Sequence, residues 1–261
     1  MSSYITGAYV TLAGLFAILS VSCGGSTETQ DSKITGESSQ ESSESVVSGG
    51  GSFLASGDMK EGRQDISAVL MLDGKIFTAG GKGKSKNFGT GRVQKAEFYD
   101  PSTGEWTLTD AMSRERTSVA MAVLPDGKVL VAGGSGGGSA QHATESTEIW
   151  DPESGKWTTA TDMNVPREQA ATVVLNDGRV LVIGGIDEWF GSVNSAETYD
   201  PNTGMWTLTT PMSSARNNHT ATVLGDGRVI VVGGGKLDGP YTDTAEVYDP
   251  STDSWTSAGQ L

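Results

Sequence analysis

Cysteine is almost absent from this chain of 261 residues; the one copy, Cys23, excludes any disulfide within the chain. Histidine is nearly as scarce, with only His142 and His219. There is no H-E-x-x-H pair and no Cys/His cluster, so no zinc site is indicated. Basic charge is short as well: 18 Lys and Arg stand against 32 Asp and Glu, a formal charge of −14. A nucleic-acid partner needs a basic face to neutralise phosphate, so that class falls away. Runs with the 3.6-residue apolar period of a helix are few. The chain's 36 glycines suit an all-β chain with many tight turns. The apolar run from Ala8 to Val21 is shorter than the roughly 20 residues that span a bilayer.

One stretch imitates a nucleotide loop. "DGRVIVVGGGKLDG", residues 226–239, ends a β-branched run in three glycines. The dinucleotide fingerprint needs a further glycine where Asp238 stands, and a helix to offer its N-terminus to pyrophosphate. The segment after the glycines, "KLDGPYTDTAEVYDP", carries a proline and turn signals instead. The stretch also recurs, as "DGKIFTAGG", "DGKVLVAGG", "DGRVLVIGG" and "DGRVIVVGG". Each copy is followed by a strand and turn: "AEFYDPSTGEW", "TEIWDPESGKW", "AETYDPNTGMW" and "AEVYDPSTDSW". Trp106, Trp157, Trp206 and Trp255 thus recur about every fifty residues, the period of a propeller array.

These marks, the paired glycines, the Tyr-Asp-Pro and the Trp at fixed offset, resemble kelch repeats. The resemblance covers residues 63–261 and implies an all-β propeller of four-stranded antiparallel blades. Four complete repeats are expected, near 63–112, 116–163, 167–212 and 216–261, as a closed four-bladed ring or an incomplete array. Within a unit, strand a ("RNNHTATVL") should turn at Asp226-Gly227 through a two-residue hairpin of type I′. Strand b ("RVIVV") should be buried on both faces, and Tyr248 and Trp255 should wedge between blades. Ahead of the first unit, "FLASGDM" repeats the Trp-to-Met spacing, so an incomplete d-like strand is expected there. Leu261 falls where Met112, Met163 and Met212 end their d strands.

The leader resembles a bacterial lipoprotein signal. Residues 1–23 end "LAGLFAILSVSC", and the resemblance implies that Cys23 becomes the lipidated first residue of the mature protein; an ordinary cleaved signal or an uncleaved anchor are the alternatives. Residues 24–52 are Ser, Glu, Gly and Thr with little to bury, a flexible tether. Residues 53–261 are then the folded head. The plan is an exported module, lipid-anchored at the outer membrane, cell surface or periplasm, with the membrane touched only through that anchor.

Function should sit where repetition fails. The a–b and c–d turns are stereotyped, whereas the b–c loops differ between units. The loop face gives the candidate anchors Trp189, Phe190 and Tyr241, with Arg92 and His142 beside them. An Arg recurs eleven residues before each turn glycine: Arg63, Arg116, Arg167 and Arg216. Glu97, Glu148, Glu197 and Glu246 recur before the c-strand aromatics. Repeating internal hydrogen bonds explain both series. The alternative is an axial anion site built by Arg116, Arg167 and Arg216.

No catalytic set stands out. Kelch-type copper oxidases resembling galactose oxidase need a Cys-linked Tyr, and the only Cys lies in the leader. Kelch proteins that epimerise sialic acid are the enzyme alternative; that resemblance calls for a carboxylate and basic residues around a central pocket, with Glu168 and Arg216 as the candidates. The balance falls on a non-enzymatic module for a protein or carbohydrate, without cofactor or metal, and with self-association if the array is incomplete.

Overall fold

The computed structural model describes residues 55–85, 89–136, 142–237 and 239–260. Cys23, the leader, the Ser/Glu/Gly segment and Phe53 lie outside the described residues. The first repeat contains β1 (Arg63–Gln64), β2 (Ser67–Leu70), β3 (Ile76–Ala79), β4 (Lys82–Ser85), β5 (Gly89–Arg92), β6 (Lys95–Asp100) and β7 (Glu105–Ala111). The second contains β8 (Ala120–Val123), β9 (Val129–Ala132), β10 (Thr147–Asp151) and β11 (Lys156–Thr159). The third contains β12 (Ala171–Val174), β13 (Val180–Ile183), β14 (Ala196–Asp200) and β15 (Met205–Leu208). The fourth contains β16 (Thr220–Val223), β17 (Val229–Val232), β18 (Thr244–Asp249) and β19 (Ser254–Gln260).

Each repeat folds as one four-stranded antiparallel sheet in the order a-b-c-d: β2-β3-β6-β7, β8 to β11, β12 to β15, and β16 to β19. The b strands of the middle blades are buried at every position, as runs of β-branched and leucine residues require. In the first blade the b–c connection grows into a further sheet, β1-β4-β5, which the repeat pattern does not announce. The other blades keep a reduced version of it. Thr117 bridges Ser135, which bridges Ala143; Glu168, Ile186 and Ser192 do the same, as do Asn217, Gly235 and Tyr241. These bridges place the d–a segments and b–c loops together at one end of the array.

The a–b turn differs from the two-residue type I′ expectation. Leu124 N–H donates to Lys128 C=O at 2.8 Å, and Gly127 N–H to Leu124 C=O at 2.9 Å. Three residues, Pro125, Asp126 and Gly127, therefore form the loop, and of these only Gly127 has positive φ, at 85°. This is a type I turn closed by a left-handed glycine. Asp126 Oδ1 accepts the Lys128 N–H while its Oδ2 pairs with Lys128 Nζ at 2.6 Å. Asp73–Lys75, Asp177–Arg179 and Asp226–Arg228 repeat the arrangement.

The core is a series of seams between blades. Phe77 and Ala79 of the first blade pack on Met121, Val129, Val131 and Trp150 of the second. Leu130 and Ala132 meet Val180, Tyr199 and Trp206 in the next seam, and Leu181 and Ile183 meet Val229, Val231 and Tyr248 in the last. The c-strand aromatic and the Trp do wedge between blades, with ring centroids 5.2 Å apart for Tyr199–Trp206 and 5.0 Å for Tyr248–Trp255. Each indole N–H crosses its seam: Trp157 to Asp110 C=O at 2.9 Å, Trp206 to Thr161 at 3.0 Å, Trp255 to Thr210 at 2.8 Å.

Two backbone ladders add to this. Gly81, Gly134 and Gly185 donate their N–H to the carbonyls of Arg116, Arg167 and Arg216 in the following blade. Ser118, Gln169 and Asn218 donate to Asp65, Ser118 and Gln169 in the preceding one, each at 3.2 Å. These four non-glycine residues all hold φ between 51° and 56°. Three seams thus join four blades. Among the described residues no hydrogen bond links the fourth blade to the first.

Candidate functional site

The repeated charges belong to the scaffold. Arg167 is buried, and its Nη1 donates to the carbonyls of Gly184 and Ser195 at 2.8 and 3.0 Å while Nη2 meets Glu197 Oε1 at 2.8 Å. The other Glu197 oxygen accepts the backbone N–H of Asn164, where the chain leaves the preceding blade. Arg116–Glu148 with Ser113, and Arg216–Glu246 with Ser213, repeat this. Arg63–Glu97 with Lys60 does so in the first blade. That last copy sets residues 55–60 where a preceding d strand would end, but they form no strand, contrary to the expected d-like strand. Burial lowers the pKa of Arg116 and of Arg167, and the paired glutamate opposes the shift in each. The expectation of an axial anion site at Arg116, Arg167 and Arg216 is corrected: each guanidinium is enclosed and engaged with its own blade. Arg216 is equally closed to any pairing with Glu168.

Glu168 is half-buried near the axis at the loop end. Burial raises its pKa above the ordinary carboxylate value, against the opposing pull of Arg92 and Lys82, and it hydrogen-bonds Ser135. Arg92 Nη2 reaches Ser135 Oγ at 3.1 Å, and Lys82 pairs with Asp65 at 2.9 Å. Arg92 therefore belongs to this polar group; among the described residues no contact joins it to the loop aromatics. His219 is buried in the seam of the third and fourth blades, with its pKa lowered to about 3 by burial and then by Arg216. A neutral imidazole shut from solvent has no access to a substrate proton.

The aromatic loops are different. Residues 187–191 are tied by Asp187, whose Oδ1 accepts the N–H of Trp189 at 2.9 Å and of Gly191 at 2.7 Å, while its C=O accepts the N–H of Phe190. This leaves Trp189 80% exposed and Phe190 48% exposed, the latter at φ 62°. The His142 ring stands 5.0 Å from that of Phe190, so the loops of the second and third blades meet there. Ser192 Oγ ties the third loop to the fourth, accepting from Asn217 Nδ2 at 2.8 Å and Leu237 N–H at 3.0 Å. Between them lies a cleft of about 310 Å³ lined by Phe190, Ser192, Ala215, Lys236 and Leu237. Leu237 is 45% exposed and Tyr241, on the same fourth loop, 90%.

The structure therefore brings His142 to Phe190 and sets the third loop against the fourth, which carries Tyr241. Sequence reasoning missed Asp187, Ser192, Lys236 and Leu237. Only Asp187 carried a signal, an Asp four residues before a glycine in a loop.

Four-stranded antiparallel sheets packed face to face, each with a diglycine and a buried Arg–Glu pair, and with a Trp in each of the three seams, define a β-propeller of kelch type. The chain belongs to the kelch-repeat family. The family model described as the KLHDC2/KLHL20/DRC7 Kelch-repeats domain matches residues 51–234, and the Kelch motif matches residues 215–261. Similar proteins include Kelch-like protein terF of Aspergillus terreus, 36% identical over 132 residues, which are 48% of this chain and 28% of that protein. Kelch-like protein 26 of Danio rerio is 30% identical over 127 residues, 49% of this chain and 19% of that one. Galactose oxidase of Gibberella zeae is 29% identical over 106 residues, 40% and 14%. The matched stretches thus span less than a third of each of these relatives. Among solved structures, YjhT superposes with a TM-score of 0.66 at 17% identity, over 76% of this chain and 71% of its own. That likeness is one of fold.

Proposed function

We propose that this protein is a non-enzymatic binding module, exported and lipid-anchored through Cys23, that holds a protein or glycan ligand against its loop face. One observation carries the reading: Trp189 and Tyr241 stand 80% and 90% exposed on loops whose backbones are pinned. Large aromatics left in water on an ordered loop have no scaffold role, and such side chains supply most of the energy in binding interfaces. The leader, the polar tether and the head make one arrangement for display at an envelope. Binding is tested by screening glycans and envelope proteins against the chain and its Trp189→Ala/Tyr241→Ala form. Anchoring is tested with Cys23→Ser. Loss from the membrane fraction supports the lipid anchor; unchanged fractionation with no lipid on Cys23 by mass spectrometry removes it.

A second reading draws on Glu168, whose raised pKa and neighbouring Arg92 make an acid beside a cation near the axis. It is a sugar-modifying enzyme of the sialic-acid-epimerase type, with Arg92, in place of the enclosed Arg216, as the cation beside Glu168. Interconversion of sialic acid anomers by the chain, abolished by Glu168→Gln, supports it; absence of turnover leaves the binding module.

A further inference from the structure

The loop face is polarised in charge. Its four b–c loops gather at one end of the array, but they differ in sign. The first, residues 82–95, carries Lys82, Lys84, Lys86, Arg92 and Lys95 and no acid. The third, residues 186–195, carries Asp187 and Glu188 and no cation. The fourth, residues 235–244, sets Asp238 and Asp243 against Lys236 alone. Glu188 and Asp243 are exposed, and neither forms an ion pair among the described residues. The chain as a whole carries −14, a field that draws basic partners and repels acidic ones.

The cleft of about 310 Å³ lies between the two acidic loops, so both its walls belong to adjoining blades. Those walls are mainly apolar: Phe190, Ala215 and Leu237. The one hydroxyl among the lining residues, Ser192 Oγ, already accepts from Asn217 Nδ2 and the Leu237 N–H. Such a cleft has room for an apolar side chain and little to offer the hydroxyls of a sugar. Beside it stands Trp189, exposed and preceded in the chain by Glu188. An indole face attracts a cation, and an unpaired carboxylate next to it adds to the attraction.

We infer that the partner of this face is a protein segment in which an apolar side chain is flanked by lysine or arginine. The apolar side chain sits in the cleft between the third and fourth loops, and the basic flank runs over Glu188, Trp189 and Asp243. The cations of the first loop repel that flank and so fix its direction across the face. The inference rests on the loop-face binding reading and names the partner's chemistry. A protein fits better than a glycan, because neutral sugars gain nothing from the carboxylates and acidic sugars are repelled by them.

The test is fluorescence anisotropy of the full chain in mild detergent with short labelled peptides. Each has one leucine or phenylalanine flanked by lysines, and matched peptides carry glutamates instead. The lysine-flanked peptides should bind, the glutamate-flanked ones should not, and rising salt should weaken the binding. Glycine in place of the peptide's apolar residue should weaken it about tenfold or more. Glu188→Gln and Asp243→Asn should each weaken it about two- to fivefold, the size of one exposed ion pair. Lys236→Gln removes a repulsion and should strengthen it by a similar factor. Glu153→Gln, the same change of charge in a c–d turn at the opposite end, should leave affinity unchanged. Glutamate-flanked peptides that bind as well overturn the inference, as does weaker binding of Lys236→Gln. An equal loss in Glu153→Gln also overturns it, since net charge and not this face would then attract the peptide. Charge variants without effect, beside a Trp189→Ala variant that loses binding, overturn the basic partner and leave the loop-face reading standing. A glycan held through Trp189 while no lysine-flanked peptide binds does the same. Peptide binding untouched by Trp189→Ala and by every charge variant removes both.

Discussion

Arg167 Nη2 donates to Glu197 Oε1 at 2.8 Å, and neither side chain exposes any surface to solvent. The pair closes the third blade upon itself and, through Asn164, upon the blade before it. Removing one partner strands a buried charge, which costs about 3–5 kcal/mol. Glu197→Ala should therefore lower the urea midpoint severely. The double change Arg167→Met/Glu197→Leu should recover a large part of the loss, because no charge is left uncompensated. A double mutant no more stable than Glu197→Ala would mean that the backbone bonds of Arg167, rather than its charge pairing, hold the blade.

The diglycines should matter for packing. Gly184 has φ 60°, and a Cβ there would fall 2.5 Å from the Arg216 carbonyl oxygen and 2.8 Å from His219 Cε1. Gly155, with φ 68°, has open space around the same added atom. Gly155→Ala should cost only the left-handed strain, about 1 kcal/mol. Gly184→Ala adds a clash with backbone and should lose about 1–3 kcal/mol more. Equal losses in denaturant titration would show that the seam yields at Gly184.

How far the sequence reveals this can be judged from such positions. Gly184 and Trp206 were legible because they recur in phase, and four copies make a weak mark strong. The a–b turn was misread because Asp-Gly alone does not set loop length. Pro125, which suits the first central position of a type I turn, held the answer in one copy of four. Asp65, Ser118, Gln169 and Asn218 share a left-handed backbone but no side-chain chemistry, so nothing in their identity announced the axial ladder. Asp253 is similar: it stands at φ 50° where the other blades have Gly104, Gly155 and Gly204. Its carboxylate accepts from Thr210 N–H and Tyr248 Oη, contacts across forty-three and five residues that pattern does not show. At the candidate site, Trp189 and Tyr241 were legible as departures from the repeat. The Arg series was open between scaffold and ligand, since spacing does not tell which way a side chain points.

His219 should make the fold acid-sensitive. The folded chain keeps its imidazole neutral down to about pH 3, whereas its ordinary value is 6.5. Between those values the unfolded chain binds the extra proton, so stability is full above about pH 6.5 and falls as pH drops. The slope approaches 1.4 kcal/mol per pH unit, giving about 2 kcal/mol between pH 7 and pH 5. His219→Val, the residue found at the equivalent Val119, should remove this part of the acid dependence. Comparing urea midpoints of both proteins at pH 7 and pH 5 isolates it from the carboxylates. Parallel losses in the two proteins would mean that His219 titrates normally in the fold.

The loop aromatics should separate binding from folding. Trp189 and Tyr241 touch little besides water, so replacing both with Ala should leave the melting temperature within about 1 °C, as surface changes do. Ligand affinity should weaken by about 2 kcal/mol or more, close to thirtyfold, if they are its anchors. Phe190 should behave otherwise. Its ring rests on His142 and its backbone is left-handed. Phe190→Gly relieves the backbone and loses the ring contact, so it should change binding with only a small net effect on stability. Changes at Thr103 and Thr203, in the stereotyped turns of the opposite face, should leave binding intact. If Trp189→Ala/Tyr241→Ala melts the domain, these side chains are plugs over blade edges. If the turn variants abolish binding, the ligand meets the other end of the propeller.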